Sequence, residues 1–413
     1  MPTQRSPMTI LEEKFFAKLT EAGIPEVPDR FSVVAHHQEI PQSILTEIGT
    51  FIRIFDRVTQ RSTWQEAVTT DAPEIARSPR REVCFFSAWD FHLPPERPFD
   101  WQAIEFNDNG SGLFLAGLIN ATFYEIADLQ KCADIQPPLQ FSALSELVAS
   151  FVEEEARRFY GEFPQGIFLI LDDAESLERG KFQSELRLMR DLWQDRGWQV
   201  EIASPTETQW DGRRLLAKGK EVSFIVNRST DFFWQADVFS SLRAAYAAGE
   251  VYVAPNPFTY ITRSDKRLLE FFSVPYWDEE LGIQPEERIC LSTHVPETHL
   301  LREDNIEEIA SRKEEFFFKP LYSFASRGVL TSSQVGRSRL HRLIEKGKPY
   351  VAQKKVPKST LRLPGTRENT CLWTDLRVWT YRGQIFLLSG RASRHPELLD
   401  LTSPGGWIPT YAR

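Results

Sequence analysis

Glu105 and Asn107 have side-chain types and a spacing that can hold a hard cation. They stand two residues apart in a run that reads as a short strand, so both side chains point to the same face. Asp90, fifteen residues upstream, can add a second carboxylate from a neighbouring antiparallel strand, with His92 on the same strand face. Carboxylate and amide oxygens are the ligands that hard cations prefer. A surface hairpin closed by the flexible turn at 110–112 explains the same residues without a ligand.

Lys319 is the candidate for an anion contact. It ends the apolar run that begins at Phe316, and a lysine at a strand end presents one ammonium to a cleft, where phosphate oxygens can meet it. The small-residue loop from Ser323 to Gly328 can lay backbone N–H groups over phosphates. Residues 312–358 carry twelve lysines and arginines against three glutamates, in a chain of net charge −9. A polyphosphate-binding lobe and a solvated basic face are both consistent with that segment.

Two later segments complete the set of candidates. Residues 350–357 read as a strand that leads into a hinge, and such a strand can present backbone groups to an adenine edge. Residues 375–381 and 384–391, joined by Arg382-Gly383, predict a β-hairpin. Arg391 at its end can reach a cleft and stabilise a developing oxyanion or an acyl phosphate. Pairing of the hairpin arginines with Asp375 at the surface is the alternative.

The elements that must position these residues fall into two patterns. Amphipathic helices are predicted at 8–20 and 42–56, strands at 83–88 and 103–107, and helices at 113–129 and 143–160. The continuous apolar run 166–171 then predicts a buried strand. With a helix at 181–196 and strands at 198–202 and 222–226, it indicates a small parallel α/β domain over 164–257. Ligand groups in such sheets lie at the carboxyl ends of the strands, where the chain has Asp172, Asp173, Asn227 and Arg228.

Composition excludes several classes of protein. The net charge of −9 argues against nucleic-acid and anionic-membrane partners, which require a basic surface. The four cysteines are widely spaced, without zinc spacing, as expected in a reducing compartment. The longest apolar stretch, 112–123, is too short to span a bilayer. The chain lacks the Gly-Lys-Ser/Thr phosphate loop and the Gly-x-Gly-x-x-Gly dinucleotide motif. We therefore expect a soluble, cytoplasmic protein.

The order of these parts resembles the ATP-grasp superfamily. A strand ending in Lys-Pro, a Ser/Gly loop, a hinge strand and an Asp-x-Arg-Val hairpin follow one another as in that superfamily. Here Glu-x-Asn precedes Lys319 by more than two hundred residues, which is similar to the circularly permuted ATP-grasp proteins such as glutathionylspermidine synthase. The segment Ser264 to Leu269, with Lys266, matches a helix start of that family. Ala88 departs from it, since the synthase has an arginine there, and neither an upstream amidase domain nor the residues for glutathione and polyamine are recognisable.

The resemblance implies a mixed α/β fold: a circularly permuted ATP-grasp fold with an inserted small parallel α/β (pre-ATP-grasp-like) domain. The expected parts are an N-terminal helical region (1–82), a permuted segment carrying Glu-x-Asn (83–163), the inserted α/β domain (164–257) and the ATP-grasp lobes (258–413). Within the last part the nucleotide-binding lobe covers about 285–356 and the C-terminal hairpin segment covers 370–409.

The resemblance also implies ATP and Mg²⁺ as cofactors and a role for each candidate residue. Metal ligands are Asp90, Glu105 and Asn107; nucleotide contacts are Lys266, Lys319, Ser323, Ser326, Arg327, Gly328, Gln353, Lys354, Lys355 and Val356; catalytic residues are Arg391 and Arg377. The implied activity is a carboxylate–amine or carboxylate–thiol ligase that acts through an acyl phosphate on small-molecule or peptide substrates. A phosphotransferase on the same fold and a non-catalytic ATP-binding scaffold are the alternatives.

Overall fold

The fold is described by a computed structural model over residues 10–24, 32–273, 281–322, 328–363, 370–399 and 401–413. In chain order, the helices of these ranges are α1 (Ile10–Glu21), α2 (Gln42–Thr59), α3 (Ser62–Thr69), α4 (Leu113–Ile126), α5 (Phe141–Tyr160), α6 (Ala174–Arg179), α7 (Gln183–Asp195), α8 (Ser240–Ala248), α9 (Pro257–Thr259), α10 (Leu268–Ser273), α11 (Pro285–His294), α12 (Ile306–Ser311) and α13 (Arg337–Glu345).

The strands are β1 (Gln38–Ile40), β2 (Ser87–His92), β3 (Gln102–Asn107), β4 (Ile167–Leu171), β5 (Val200–Ala203), β6 (Thr208–Trp210), β7 (Leu215–Ala217), β8 (Lys220–Asn227), β9 (Tyr252–Ala254), β10 (Thr298–Leu300), β11 (Phe316–Pro320), β12 (Tyr350–Lys354), β13 (Ser359–Arg362), β14 (Cys371–Tyr381), β15 (Gln384–Ser393), β16 (Gly406–Ile408) and β17 (Thr410–Ala412).

A six-stranded antiparallel sheet joins the early and late parts of the chain. Its order is β16-β15-β14-β2-β3, with β13 paired to β14. The predicted hairpin is confirmed as β14–β15, and β2 lies between this hairpin and β3. The register sets Asp90 opposite Glu105 on one side and opposite Arg377 on the other, and it sets Asp375 opposite Arg391. Residues almost three hundred positions apart in sequence therefore share one face of one sheet.

The predicted strand at 83–88 was wrong in its bounds. Strand β2 begins at Ser87, so that Asp90 lies inside the strand and the apolar run before it does not join the ladder. Phe85 and Phe86 are fully buried in the core beneath α4. The Ser87 hydroxyl donates to the Cys84 carbonyl and to the carboxylate of Asp108, which folds this run into a turn. Burial without strand pairing satisfies the same apolar pattern.

A second sheet carries the α/β arrangement expected from the apolar run at 166–171. Strand β4 pairs in parallel with β5 and with β8, and β9 extends the sheet in parallel beyond β8. All five residues of β4 are buried, as a central parallel strand covered on both faces requires. The carboxyl ends of β4 and β8 lie side by side and place Asp172 next to Asn227.

The third sheet is small and antiparallel, in the order β10-β12-β11. Alternation along β11 divides its side chains between two faces. Phe316 and Phe318 point inward against Ala352 and the helices α12 and α13, and they are fully buried. Phe317 and Lys319 therefore point to the opposite face.

Helices close the faces of the antiparallel sheet. Phe51 and Phe55 of α2 pack edge-on against Trp89 on one side, while α4 packs on the other side with nine of its residues buried. The apolar stretch of α4 is thus a core helix. Among the described residues, no helix combines the length and the apolar composition that crossing a bilayer requires.

Candidate active site

One cavity lies where the six-stranded antiparallel sheet, the α/β sheet and the small sheet β10-β12-β11 meet. Its volume of about 710 Å³ is within the usual size range of ligand pockets. Its polar lining comes from all three. The antiparallel sheet and the turn after β3 contribute Asp90, His92, Glu105, Asn107, Ser111, Arg377 and Arg391; the small sheet and hinge contribute Lys319, Gln353, Lys354 and Lys358; the α/β sheet contributes Asp172, Asn227, Arg228 and Thr230. Lys266, just after the π-helical turn Tyr260–Ser264, also lines it.

Strand alternation brings Glu105 and Asn107 to the cavity, as the sequence predicted. Phe106 between them packs on the opposite face against Phe55 and Trp89. The Asn107 amide Nδ2 donates to Glu105 Oε1 at 3.0 Å, so the two side chains already act as a pair. Gly110 follows in the turn, where a Cβ would lie 2.5 Å from the Phe86 carbonyl oxygen. That close approach explains why the turn needs a glycine there.

Asp90 is held by two arginines. Its Oδ1 accepts from Arg377 Nε at 2.7 Å, and its Oδ2 accepts from Arg377 Nη2 at 2.8 Å and faces Arg391 Nη2 at 2.8 Å. Burial by itself raises the pKa of this carboxyl, but the two guanidinium groups outweigh burial and hold the pKa well below its usual range. Asp90 is therefore ionised, and both of its oxygens already have cationic partners.

Arg391 bridges two carboxylates across the hairpin. Its Nε contacts Asp375 Oδ2 at 3.0 Å, and its backbone N–H donates to Asp375 Oδ1 at 2.9 Å. Its side chain is 14% exposed and that of Asp375 is 0% exposed, so the pairing with Asp375 is a buried one. Burial works against the charged guanidinium, yet Asp375 and Asp90 raise the pKa of Arg391. The arginine keeps its charge at the wall of the cavity.

The donor set suits Mg²⁺ in one particular way. No cluster of three or more acidic, histidine or cysteine side chains suited to a metal occurs in the described ranges. Because both oxygens of Asp90 are paired with arginines, the oxygens that remain for a metal ion among the three candidate ligands are those of Glu105 and Asn107. Mg²⁺ commonly takes one or two carboxylates from the protein and completes its shell with water and phosphate oxygens, so this pair fits the ion. For Asp90, the role of direct metal ligand stays a prediction.

Two lysines, Lys319 and Lys358, line the same cavity as Glu105 and Asn107. Lys319 Nζ donates to Gln353 Oε1 at 2.6 Å, and burial lowers the pKa of Lys319 to about 8, against the opposing effect of Glu105. Lys358, which sequence reasoning missed, is 5% exposed, and burial lowers its pKa to about 8 as well. Its Nζ lies 3.3 Å from the Glu397 carbonyl oxygen. The only sequence signal for Lys358 is its place directly after the Val356-Pro357 hinge.

The remaining nucleotide candidates divide into three groups. Lys266, Gln353, Lys354 and Val356 line the cavity. The Gln353 side chain is already engaged, because its Nε2 donates to the Ile104 carbonyl at 3.1 Å. Lys355 is not part of the lining, and its Nζ pairs with Glu397 at 2.7 Å. Gly328 has a left-handed φ of 73° and accepts from the Tyr350 hydroxyl at 3.2 Å, outside the cavity lining. Ser323, Ser326 and Arg327 lie outside the described residues.

His92 is neutral and tied to the hinge. Its Nδ1 lies 3.0 Å from the Val356 carbonyl oxygen, and burial together with the charge of Lys358 lowers the pKa of the ring to about 3. The imidazole therefore carries no charge at neutral pH and links β2 to the hinge after β12.

Comparisons with known proteins agree with the fold. A glutathione synthetase-like effector from Globodera pallida, solved in the apo form, matches with a TM-score of 0.60 over 99% of this chain and 98% of that chain, at 10% identity. A candidate gamma-glutamylcysteine synthetase from Methylobacillus flagellatus KT matches at a TM-score of 0.49, 11% identity and 89% of each chain. An ATP-grasp ligase complexed with a minimal precursor matches at 0.28, with 9% identity over 60% of this chain and 90% of that chain.

The first of these likenesses spans almost the whole of both chains, and it confirms the mixed α/β fold expected from the sequence, in an arrangement similar to that of the glutathione synthetase-like effector. No family model matches the sequence. No curated protein matches it either. At such low identity a likeness carries the architecture alone. Function must therefore be argued from the cavity.

Proposed function

We propose that this protein is an ATP- and Mg²⁺-dependent ligase that joins a carboxylate to an amine or thiol through an acyl phosphate. One observation carries the proposal. A single cavity unites an oxygen pair for a cation (Glu105 and Asn107), two lysines of lowered pKa for phosphates (Lys319 and Lys358) and an ionised, largely buried arginine at the wall (Arg391). A kinase or an ATP-binding scaffold requires the first two of these groups, whereas a charge developing on a carboxyl substrate explains the third.

In this proposal the triphosphate lies between the small antiparallel sheet and the face formed by β2, β3 and β14. Lys266, Lys319 and Lys358 neutralise phosphate oxygens, and the hinge at Val356 borders the adenine. A magnesium ion held by Glu105 and Asn107 would neutralise the β- and γ-phosphate oxygens and so make the γ-phosphorus more electrophilic.

Bond formation takes place in two stages. An oxygen of the substrate carboxylate attacks the γ-phosphorus, ADP leaves, and an acyl phosphate results. The amine or thiol then attacks the acyl carbon, and phosphate leaves. Arg391 stabilises the charge that develops on the acyl oxygens, with Arg377 beside it. Asp90 and Asp375 fix the direction of these guanidinium groups, since Arg391 contacts both carboxylates.

We also propose that the chain order is a circular permutation. The Glu-x-Asn strand β3 precedes the lysine strand β11 in sequence, yet β2 and β3 complete the same sheet as the hairpin β14–β15. Residues 164–257 then form an insertion between β3 and the nucleotide lobe, and they contribute the far wall of the cavity.

An isotope experiment tests the reaction class. Purified protein with Mg·ATP is screened for ADP release against libraries of carboxylic acids and amines, and the active acid is then supplied with ¹⁸O in its carboxylate. The acyl-phosphate route transfers one labelled oxygen to the released phosphate. Unlabelled phosphate would refute the mechanism. A stable phosphorylated product would identify a phosphotransferase, and nucleotide binding without ADP release under every condition would identify a scaffold.

A further inference from the structure

The cavity continues past the phosphate region to the carboxyl ends of β4 and β8. Asp172 follows β4 directly and lines the cavity, with Ser176 of α6 and Asn227 at the end of β8 nearby in the lining. Among the described lining residues that the α/β sheet and its helices contribute, Asp172 is the one carboxylate. Arg179, Lys181 and Arg228 are the cationic residues of the same wall.

Asp172 and its neighbour Asp173 have different surroundings. Both the backbone N–H and the hydroxyl of Thr230 donate to Asp173 Oδ2, at 3.0 and 2.6 Å, and Asp173 is not part of the cavity lining. Asp172 Oδ1 accepts from the Asp173 backbone N–H at 2.7 Å, and Asp172 is part of the cavity lining. Burial raises the pKa of Asp172 to about 7; Arg228 opposes that shift, and Asp173 adds to it.

Arg228 connects this wall to the turn beside the proposed site of bond formation. Arg228 donates through Nη1 to the Gly110 carbonyl at 2.7 Å and through Nη2 to the Ser111 hydroxyl. Arg377 Nη1 contacts the Ser111 carbonyl at 3.4 Å from the other side. The wall that carries Asp172 is therefore separated from the Asp90–Arg377–Arg391 cluster by the turn at Ser111. Asp172 and this cluster line the same cavity.

We infer that Asp172 binds the ammonium group of the amine substrate and accepts a proton from it before that amine attacks. The inference rests on the proposed function. Because Arg179, Lys181 and Arg228 line the same wall, an amine that also carries a carboxylate, as in an amino acid, fits its charges. A polyamine brings no carboxylate to these cations.

The proposed step begins with a proton transfer. The ammonium transfers one proton to the Asp172 carboxylate, which leaves a free amine with a nitrogen lone pair. That lone pair attacks the acyl carbon, a C–N bond forms, and the C–O bond to phosphate breaks with its electron pair on the phosphate oxygen. The second nitrogen proton leaves with phosphate as hydrogen phosphate, and Asp172 returns its proton to solvent. Hydroxylamine, which is unprotonated near neutral pH, needs no such base.

The test compares two nucleophiles in Asp172→Asn. Hydroxamate formation is first measured with Mg·ATP, hydroxylamine and a panel of carboxylic acids. The active acid is then combined with each of the protein amino acids, and ADP release is followed. Removing a general base costs about a hundredfold or more, so kcat/KM for the best amino acid should fall by roughly that factor in Asp172→Asn, whereas hydroxamate formation should change by less than about threefold. Asp195→Asn, at the exposed end of α7 in the same part of the chain and outside the cavity lining, is the matched control and should change neither rate.

The pH profile adds a readout that a purely structural role would not move. Since the proton acceptor is the ionised carboxyl, the amine reaction should fall as pH drops through about 7 in the unaltered protein. The groups around it that set this value are Arg228, Asp173 and Ser176. In Asp172→Asn that limb of the profile should vanish, while the hydroxylamine profile stays unchanged.

Three results would overturn the inference. Equal loss of both nucleophile reactions in Asp172→Asn, with unchanged thermal stability, would mean that the residue serves the acid or the nucleotide. Unchanged amine turnover would mean that it serves neither. Hydroxamate formation that no amino acid can replace would exclude an amino-acid acceptor. Failure of the ligase proposal is distinguishable from these, because the unaltered protein would then form no hydroxamate with any acid.

Discussion

ATP affinity should fall steeply between pH 7 and pH 9. The site contains two lysines, Lys319 and Lys358, whose pKa values burial lowers to about 8 from the ordinary lysine value of 10.5. A triphosphate placed between them favours their charged forms, so binding raises both pKa values and takes up protons wherever the lysines are neutral in the free protein. The nucleotide's own phosphates are already ionised above pH 7, with a second pKa near 6 for such groups, and they add little to this dependence.

The expected magnitude follows from the two pKa values. A lysine with a pKa of about 8 is mostly protonated at pH 7 and roughly one-tenth protonated at pH 9, and one pKa unit corresponds to about 1.4 kcal/mol. Each lysine therefore costs about tenfold in affinity across this range, and the two together cost about a hundredfold. The free energy of unfolding depends on pH with the opposite sign to the ATP affinity. The unfolded chain binds more protons than the folded chain between pH 8 and pH 10.5, so these two lysines make the free protein more stable as pH rises there.

Calorimetry measures both quantities directly. Titration of Mg·ATP at pH 8.5 in buffers of different ionisation enthalpy gives the number of protons taken up, which should approach 1.5 for two lysines of pKa about 8. Lys319→Met should remove about half of that uptake and halve the logarithmic slope of affinity against pH. Lys346→Met, an exposed lysine in the same lobe, is the control and should change neither. Affinity independent of pH from 7 to 9, with no proton uptake, would refute the placement of phosphates between Lys319 and Lys358.

Further predictions concern Glu105, Asn107, Asp90 and Arg391. Glu105→Gln and Asn107→Ala should each abolish Mg·ATP turnover at unchanged melting temperature; a stability loss of core size with activity kept in the folded fraction would return the pair to a structural role. Arg391→Ala should leave ATP affinity within a few-fold but lower kcat by about a hundred- to a thousandfold, and Arg391→Lys should restore little because a point charge lacks the planar fork. Asp90→Asn should lower the free energy of unfolding by about 3–5 kcal/mol, measured by urea titration, because it leaves Arg377 buried without its carboxylate; a change near zero would contradict that reasoning.

Strand patterns in the sequence predicted the elements that carry the site residues, but not the side chains that pair with those residues. Alternation was sufficient to place Glu105 and Asn107 on one face, and a two-residue turn was sufficient for the hairpin that carries Arg377 and Arg391. The antiparallel neighbour of Glu105 was also foreseeable, since only a short connection separates Asp90 from it. The pairing of β2 with β14 was not foreseeable, because strands nearly three hundred residues apart leave no local signal of their contact.

The pairing of β2 with β14 changes the role that can be assigned to Asp90. As an isolated acid beside Glu-x-Asn, Asp90 reads as a cation ligand. Once β14 lies against β2, Arg377 occupies both of its oxygens and Arg391 adds a second positive charge. The positive charge that Asp90 contacts comes from the hairpin β14–β15, which lies nearly three hundred residues away in the sequence.

Lys358 could not be singled out as a site residue from the sequence. Its sequence surroundings, a hinge rich in lysines, give no reason to separate it from Lys354 and Lys355, which pair with surface carboxylates. Only the folded chain reveals that Lys358 is buried, and burial is what lowers its pKa into the range where a bound anion can change its charge. A basic segment therefore indicates that phosphate can bind, while the three-dimensional arrangement selects which lysines respond to it. For the same reason the pH dependence of ATP affinity distinguishes this site from a solvated basic face, whose lysines would remain charged from pH 7 to pH 9 with or without nucleotide.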